Sequence, residues 1–272
     1  MLRLAEVICC RSVCLCFALA TLFEVNEALA QTQTVTYLPQ VVNGIFGTPP
    51  IGGLQWGSSL MIANPGSSRI DLTVDFVQSN GQPFIMSFGV ATGSLGSGAR
   101  LVLSLNPGES RTVDLPSGGD IKTGYAIIQS NRTVSLALLL YQSFITLQVQ
   151  RLLGQAAVSP TSLQTNQGVF VNDVGGFRTG VAIANPGYSS TSFLLRLLNS
   201  DGSEAARLSD SLPPNTQKSR FVDEYLSLAR NIDYAGTLRI SSDNPVAVLV
   251  LRFAPDGSFT SLQSFPVTSS LK

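Results

Sequence analysis

Asp71 and Asp75 sit four residues apart in an alternating segment, the first place in this chain where acid–base chemistry would be sought. The alternation puts both carboxylates on one face of a strand, but at roughly 13 Å from each other. A retaining glycosidase needs its pair about 5 Å apart, and an inverting one at most about 9.5 Å. The spacing therefore predicts two solvated carboxylates on an outer sheet face. Asp223 and Glu224 are adjacent, yet they open a short helical pattern that Arg230 closes, as the helix dipole prefers. With no histidine in the chain, Ser-His-Asp and Cys-His catalysis and imidazole-bound metals are excluded.

Other chemistries fare no better. Gly93, Ser94, Leu95 and Gly96 do not have the spacing of a nucleophile elbow, and Ser269 with Lys272 matches the Ser-x-x-Lys string only at the C-terminal end. The oxygen-rich stretch 199–204 (Asn-Ser-Asp-Gly-Ser-Glu) is the best calcium candidate, but Leu197 stands where an earlier acid is needed and no distal glutamate follows. A hairpin turn accounts for the whole stretch. No phosphate-cradling loop or dinucleotide fingerprint occurs. The reading is of a chain without catalytic, cofactor-binding or metal-binding residues, and so not an enzyme.

Aromatic rings offer the remaining route to a ligand. Trp56, Tyr37, Phe46 and Tyr188 lie near turns or strand starts, where exposed rings could stack on a sugar. Against this, Phe177 stands 121 residues after Trp56, at the matching place of an internal repeat, and a large ring in both places favours packing.

That repeat supplies the elements that must position any site. Ile62, Ala63, Asn64, Pro65 and Gly66 recur as Ile183, Ala184, Asn185, Pro186 and Gly187, 121 residues further on. Ser79-Asn80-Gly81 answers Ser200-Asp201-Gly202 at the same spacing, and Asn106-Pro107-Gly108 answers Pro213-Pro214-Asn215. Ser110-Arg111 loosely matches Ser219-Arg220, and the segment from Gly124 matches that from Gly236 at a spacing of 112. Landmarks in one order, twice, predict two copies of one domain, over 37–154 and 168–270.

Each copy reads as strands. Ile70, Leu72, Val74 and Phe76 alternate with Asp71, Thr73 and Asp75, and Leu101, Leu103 and Leu105 alternate in the same way. Near-continuous apolar runs at 134–141 and 246–253 suit central strands. Asn80-Gly81, Asp201-Gly202 and Asp256-Gly257 suit tight hairpins, and Pro65-Gly66 and Pro186-Gly187 suit type II turns. Residues 223–230 read as a short helix, 89–98 as a flexible insertion, 155–167 as a polar link and 31–36 as a loose tail. The prediction is an all-β chain of two tandem antiparallel sandwiches. In its order of turns and strands the chain resembles the tandem Ig-like β-sandwich repeats of secreted bacterial proteins, and the segment 105–110 (Leu-Asn-Pro-Gly-Glu-Ser) is typical of such modules. The resemblance implies a fold and a secreted setting, and brings no catalytic residues with it.

The N-terminus points the same way. Arg3 and Arg11 precede an apolar stretch at 12–23, and Ala28-Leu29-Ala30 has the small-x-small form of a cleavage site, so 1–30 reads as a signal peptide. All four cysteines, Cys9, Cys10, Cys14 and Cys16, fall inside it. The mature chain is expected to hold no disulfide. Seventeen Lys+Arg against seventeen Asp+Glu, at 12% charged and 44% hydrophobic residues, exclude a basic nucleic-acid binder and a disordered acidic chain. The function expected is a non-enzymatic, exported interaction module, in the periplasm, on the surface or outside, that meets other envelope or extracellular proteins. Its rival is a carbohydrate-binding protein that uses the four rings. No cofactor, no nucleic acid and no membrane span in the mature chain are expected.

Overall fold

The structure is a computed structural model that describes residues 33–47, 52–116, 118–230 and 233–268. The expected leader with its cysteines, and Ser269 and Lys272, lie outside the described residues. The fold is all-β and antiparallel throughout. The first copy contributes β1 (Thr34–Phe46), β2 (Gly53–Ala63), β3 (Ile70–Gln78), β4 (Met86–Val90), β5 (Gly93–Gly98), β6 (Arg100–Leu105), β7 (Ser110–Leu115), β8 (Lys122–Ser130), β9 (Ser135–Ile145) and β10 (Gln150–Val158). The second contributes β11 (Gln164–Asn172), β12 (Arg178–Asn185), β13 (Thr191–Asn199), β14 (Glu204–Leu212), β15 (Thr216–Phe221), the one-turn helix α1 (Val222–Tyr225), β16 (Ala235–Phe253), β17 (Phe259–Leu262) and β18 (Phe265–Pro266).

The ladders join into a ten-stranded and an eight-stranded sheet, one per copy. Each doubles over into two layers because one long strand serves both. In the first copy β1 pairs with β8 along most of its length, then crosses to pair Gly44–Phe46 with β2. In the second, β16 pairs with β13 up to Ser242 and with β11 up to Ser241 and again at Val246, and from Ala247 onward it pairs with β12 and β17. Alternation does what the pattern predicts on β3, where Ile70, Leu72, Val74 and Phe76 are buried and Asp71 is exposed.

The register also refines the repeat. Ile62 pairs with Arg111 on β7, and Ile183 pairs with Lys218 on β15. The counterpart of Ser110-Arg111 is therefore Gln217-Lys218, two residues before the expected Ser219-Arg220. Gly108 and Asn215 match as expected, both with positive φ (72° and 57°), which a glycine accepts freely and an asparagine accepts better than most residues.

Several local expectations are corrected. Gly66 and Gly187 do not take the positive φ of a type II turn. Instead the preceding asparagine holds the turn: Asn64 Oδ1 accepts from Gly66 N–H at 3.0 Å, and its amide donates to the carbonyls of Ser68 and Leu105. Asn185 repeats this with Gly187, Ser189, Leu212 and Pro213. The glycine-rich 89–98 forms the hairpin of β4 and β5, and 155–167 is mostly strand, with only 159–163 between β10 and β11. The expected tail at 31–36 is already in β1 from Thr34. Helix α1 stops at Tyr225 because Ser227 takes a φ of 53°, which helix geometry excludes. Among the described residues no helix is long and apolar enough to cross a membrane.

Two large hydrophobic cores and a small third cluster of Tyr125, Ala184 and Ala247 form among the described residues, and the two large ones are not independent. The outer face of β12 and β16 carries Ala182, Leu249 and Leu251, which join the first copy's core, while Val181, Ile183, Val248 and Val250 fill the second. The small Ala182, Ala184 and Ala247 leave room for a close approach, and Gln33–Lys272 forms one compact unit.

Candidate functional site

The seam between the copies is where the chain brings its most distinctive side chains together. Its polar half is a knot of amides. Gln217 on β15 donates from Nε2 to the Pro39 carbonyl at 2.6 Å and to Gln40 Oε1, while Ser219 Oγ donates to the same Gln40 oxygen at 2.7 Å. The Gln217 backbone N–H reaches the Ser79 carbonyl at 3.1 Å. Gln40 and Gln217 are both buried, and these bonds satisfy the Gln217 Nε2 and the Gln40 Oε1, which would otherwise be costly to desolvate, while Gln217 Oε1 is buried without a partner among the described residues.

The apolar half is aromatic. Trp56 near the start of β2 packs against Phe259 at 5.2 Å and meets Phe253 edge-on at 6.4 Å. Phe253 meets Phe221 in a T-shaped contact at 5.2 Å. Arg178 lies 3.6 Å over the Phe221 ring and binds Asp223 at 2.8 Å and Glu224 at 3.1 Å, which anchors α1 to β12. These groups leave a cleft of about 240 Å³ between Gln40, Val42, Trp56 and Leu140 of the first copy and Ala182, Leu249, Leu251 and Phe253 of the second. Ser219, Arg220 and Glu224 also line it.

The four sequence-predicted rings do not share one place. Trp56 is half-buried in this seam. Tyr37 is half-buried on β1 and packs near Ala184 and Ala247, and burial, with the Tyr188 phenol nearby, raises its pKa. Tyr188 itself is 97% exposed on the Asn-Pro-Gly turn of the second copy, so these two are neighbours. Phe46 is 71% exposed at the end of β1, opposite Leu54, which in turn is opposite Phe144. The residues that reading of the sequence missed are Phe253, Phe259, Gln40 and Gln217. One signal was available for Phe253: the run 246–253 does not alternate, which marks a strand covered on both faces.

The carboxylates are engaged in surface pairs. Asp71 accepts from Ser104 and Arg69, and those contacts, the hydroxyl first, hold its carboxyl below the usual range. Asp75 takes a two-pronged contact from Arg100. In the stretch 199–204, Asp201 caps Ser203, and Glu204 binds Arg196 at 2.6 Å and Arg207 at 3.2 Å, so the oxygens close a hairpin. Among the described residues no three acidic, His or Cys side chains gather as a metal site would require.

No protein-family model matches the chain, and no curated protein matches it. Among the solved structures that match is the C-terminal domain of the Streptococcus pyogenes antigen I/II-family protein AspA, 9% identical over 85% of this chain and 97% of that one. Its TM-score of 0.17 is too low to carry an argument about fold or function.

Proposed function

We propose that this chain is a non-enzymatic, exported interaction module that docks an extended segment of another envelope or extracellular protein on the edge strand β14. The observation that carries this reading is the edge itself. β14 is nine residues long, ends its sheet, and pairs only with β13 among the described residues. An unpaired strand edge offers a row of backbone donors and acceptors to an incoming strand. Small or polar side chains, Ala205, Ser209 and Ser211, stand exposed along it, and Glu204 and Arg207 supply charges that discourage indiscriminate pairing. The counterpart edge β6 has six residues and is the lesser platform.

A photo-crosslinker at Ser209 should capture a discrete envelope partner, and the purified pair should show slowed amide exchange over 204–212. Protection confined to other strands would refute the docking site. The carbohydrate reading keeps one supporting observation, the exposed Tyr188 beside Tyr37. Glycan-array binding abolished by Tyr188→Ala would favour it instead.

A further inference from the structure

We propose that the outer face of the second copy's sheet binds an extended acidic polysaccharide, with ring carboxylates on a row of three arginines and a sugar ring against Phe170. The register sets the row. Arg207 on β14 stands opposite Arg196 on β13, and Arg196 stands opposite Arg239 on β16. All three face outward, because their strand neighbours Leu195, Leu197, Leu238 and Ile240 fill the second copy's core, and Ala206 and Leu208 pack against it. Successive arginines are therefore roughly 4.8 Å apart across the sheet. The row ends at Gly168 on β11, which stands opposite Arg239 and has the Phe265 ring lying over it. Phe170, two residues on, packs on that ring at 5.0 Å between centroids and is 58% exposed. The site lies on the face of the sheet, so it does not depend on the docking edge of β14.

Like charges directly opposite one another weaken a sheet, so nothing in the fold itself calls for this row. One carboxylate serves it from within: Glu204 accepts from Arg196 Nε at 2.6 Å and from Arg207 Nε at 3.2 Å. Arg239 forms no ion pair or side-chain hydrogen bond among the described residues. Three arginines against one glutamate leave a surplus of two charges, and Glu204 shows what kind of group bridges them. A guanidinium fork matches a planar carboxylate, and an exposed phenyl face takes the apolar face of a sugar ring. Ser209 and Ser241 on the next row line a shallow hollow beside the arginines and add hydroxyl donors and acceptors. Asp243 also lines that hollow, four residues beyond Arg239 on β16, which keeps an anion to the row. A nucleic acid would need several phosphates neutralised at once, and the chain's equal counts of basic and acidic residues supply no wider field for that.

The test titrates the full chain calorimetrically, at low salt, with tetragalacturonate, with the neutral maltotetraose and with a short single-stranded DNA. Tetragalacturonate should bind saturably and weaken as salt is added, since the arginines face solvent. Maltotetraose should bind about tenfold more weakly or not at all. Arg239→Gln should weaken tetragalacturonate about fivefold without lowering the urea midpoint, because it relieves the repulsion along the row. Phe170→Ala should weaken it about threefold, and Glu204→Gln, which frees two guanidinium groups, should tighten it about fivefold. No saturable binding of tetragalacturonate, or tighter binding of the oligonucleotide, would overturn the site. Equal binding of maltotetraose, or Arg239→Gln and Glu204→Gln variants that both bind like the parent, would overturn the arginine row as its basis.

Discussion

Asn64 and Asn185 show most directly why the repeated five-residue segment exists. Each is almost wholly buried, and each spends its amide and its carbonyl on the backbone of its own turn and of the loop that follows β6 or β14. Asn185→Ala leaves the Ser189, Leu212 and Pro213 carbonyls without this donor, and should cost about 2 kcal/mol or more in urea unfolding. Asn185→Asp should cost more at neutral pH, where a carboxylate would face three carbonyls, and part of that loss should return on acidification. The two glycines of the first copy's turns should then behave oppositely. Gly66 has ordinary backbone angles, and an added Cβ would meet only the Asn64 Oδ1 at 3.4 Å, so Gly66→Ala should stay within about 0.5 kcal/mol of the parent. Gly108 sits at a φ of 72°, and Gly108→Ala should lose about 1 kcal/mol or more in the same measurement. Equal losses at both would return the first turn to the type II geometry that its Pro-Gly pair suggests.

At the scale of elements, the legible strands were those with one wet face. β3 and β6 could be read residue by residue, because Ile70 to Phe76 and Leu101 to Leu105 alternate and their burial alternates with them. The hairpins at Gly81, Gly202 and Gly257 were legible too, since positive φ is a local demand that Asn-Gly and Asp-Gly satisfy by themselves. Hidden elements owe their shape to the ladders they join and not to their own composition. Apart from Leu95, β5 is glycine and serine, weak strand formers, and it is held by the ladder it makes with β4. The end of β10 falls in the stretch 155–167 that reads as a polar link, because Gln155 is exposed and polar residues follow it, while Ala156 and Val158 are buried. The seam was legible only as a missing alternation in β16, and its amide knot gave no local signal at all. The β3–β6 pair also carries a pH dependence. The lowered pKa of Asp71 means that the unfolded chain binds its proton first, so the stability from the Ser104 and Arg69 contacts is present above the ordinary value of 3.8 and is lost as pH falls through the lower, folded value. Asp71→Asn should therefore melt below the parent at pH 7 and together with it at pH 2, by scanning calorimetry.

For the molecule as a whole, the seam decides whether two copies behave as two units or one. Leu249 and Leu251 belong to the first copy's core although they lie on β16, Phe259 packs on Trp56, and Gln217 bridges to Pro39 and Gln40. Loss of either copy would expose those apolar faces and strand the buried amides, so unfolding one destabilises the other. The copies should then unfold in a single transition, with Trp56 emission, which reads the seam, and far-UV ellipticity, which reads both sheets, following one curve in urea. A wedge offers the decisive comparison. Gly154 on β10 faces β17 so closely that an added Cβ would come within 2.9 Å of the Phe259 ring and 3.0 Å of the Ser258 Cα. Gly154→Leu must push the copies apart there, at a cost of about 1–3 kcal/mol from overpacking. Uncoupled in this way, the two probes should separate, Trp56 responding at lower urea than the ellipticity. If the parent already shows two transitions, or if Gly154→Leu lowers stability while both probes still coincide, the seam is a contact between self-sufficient domains and does not set the cooperativity of the fold.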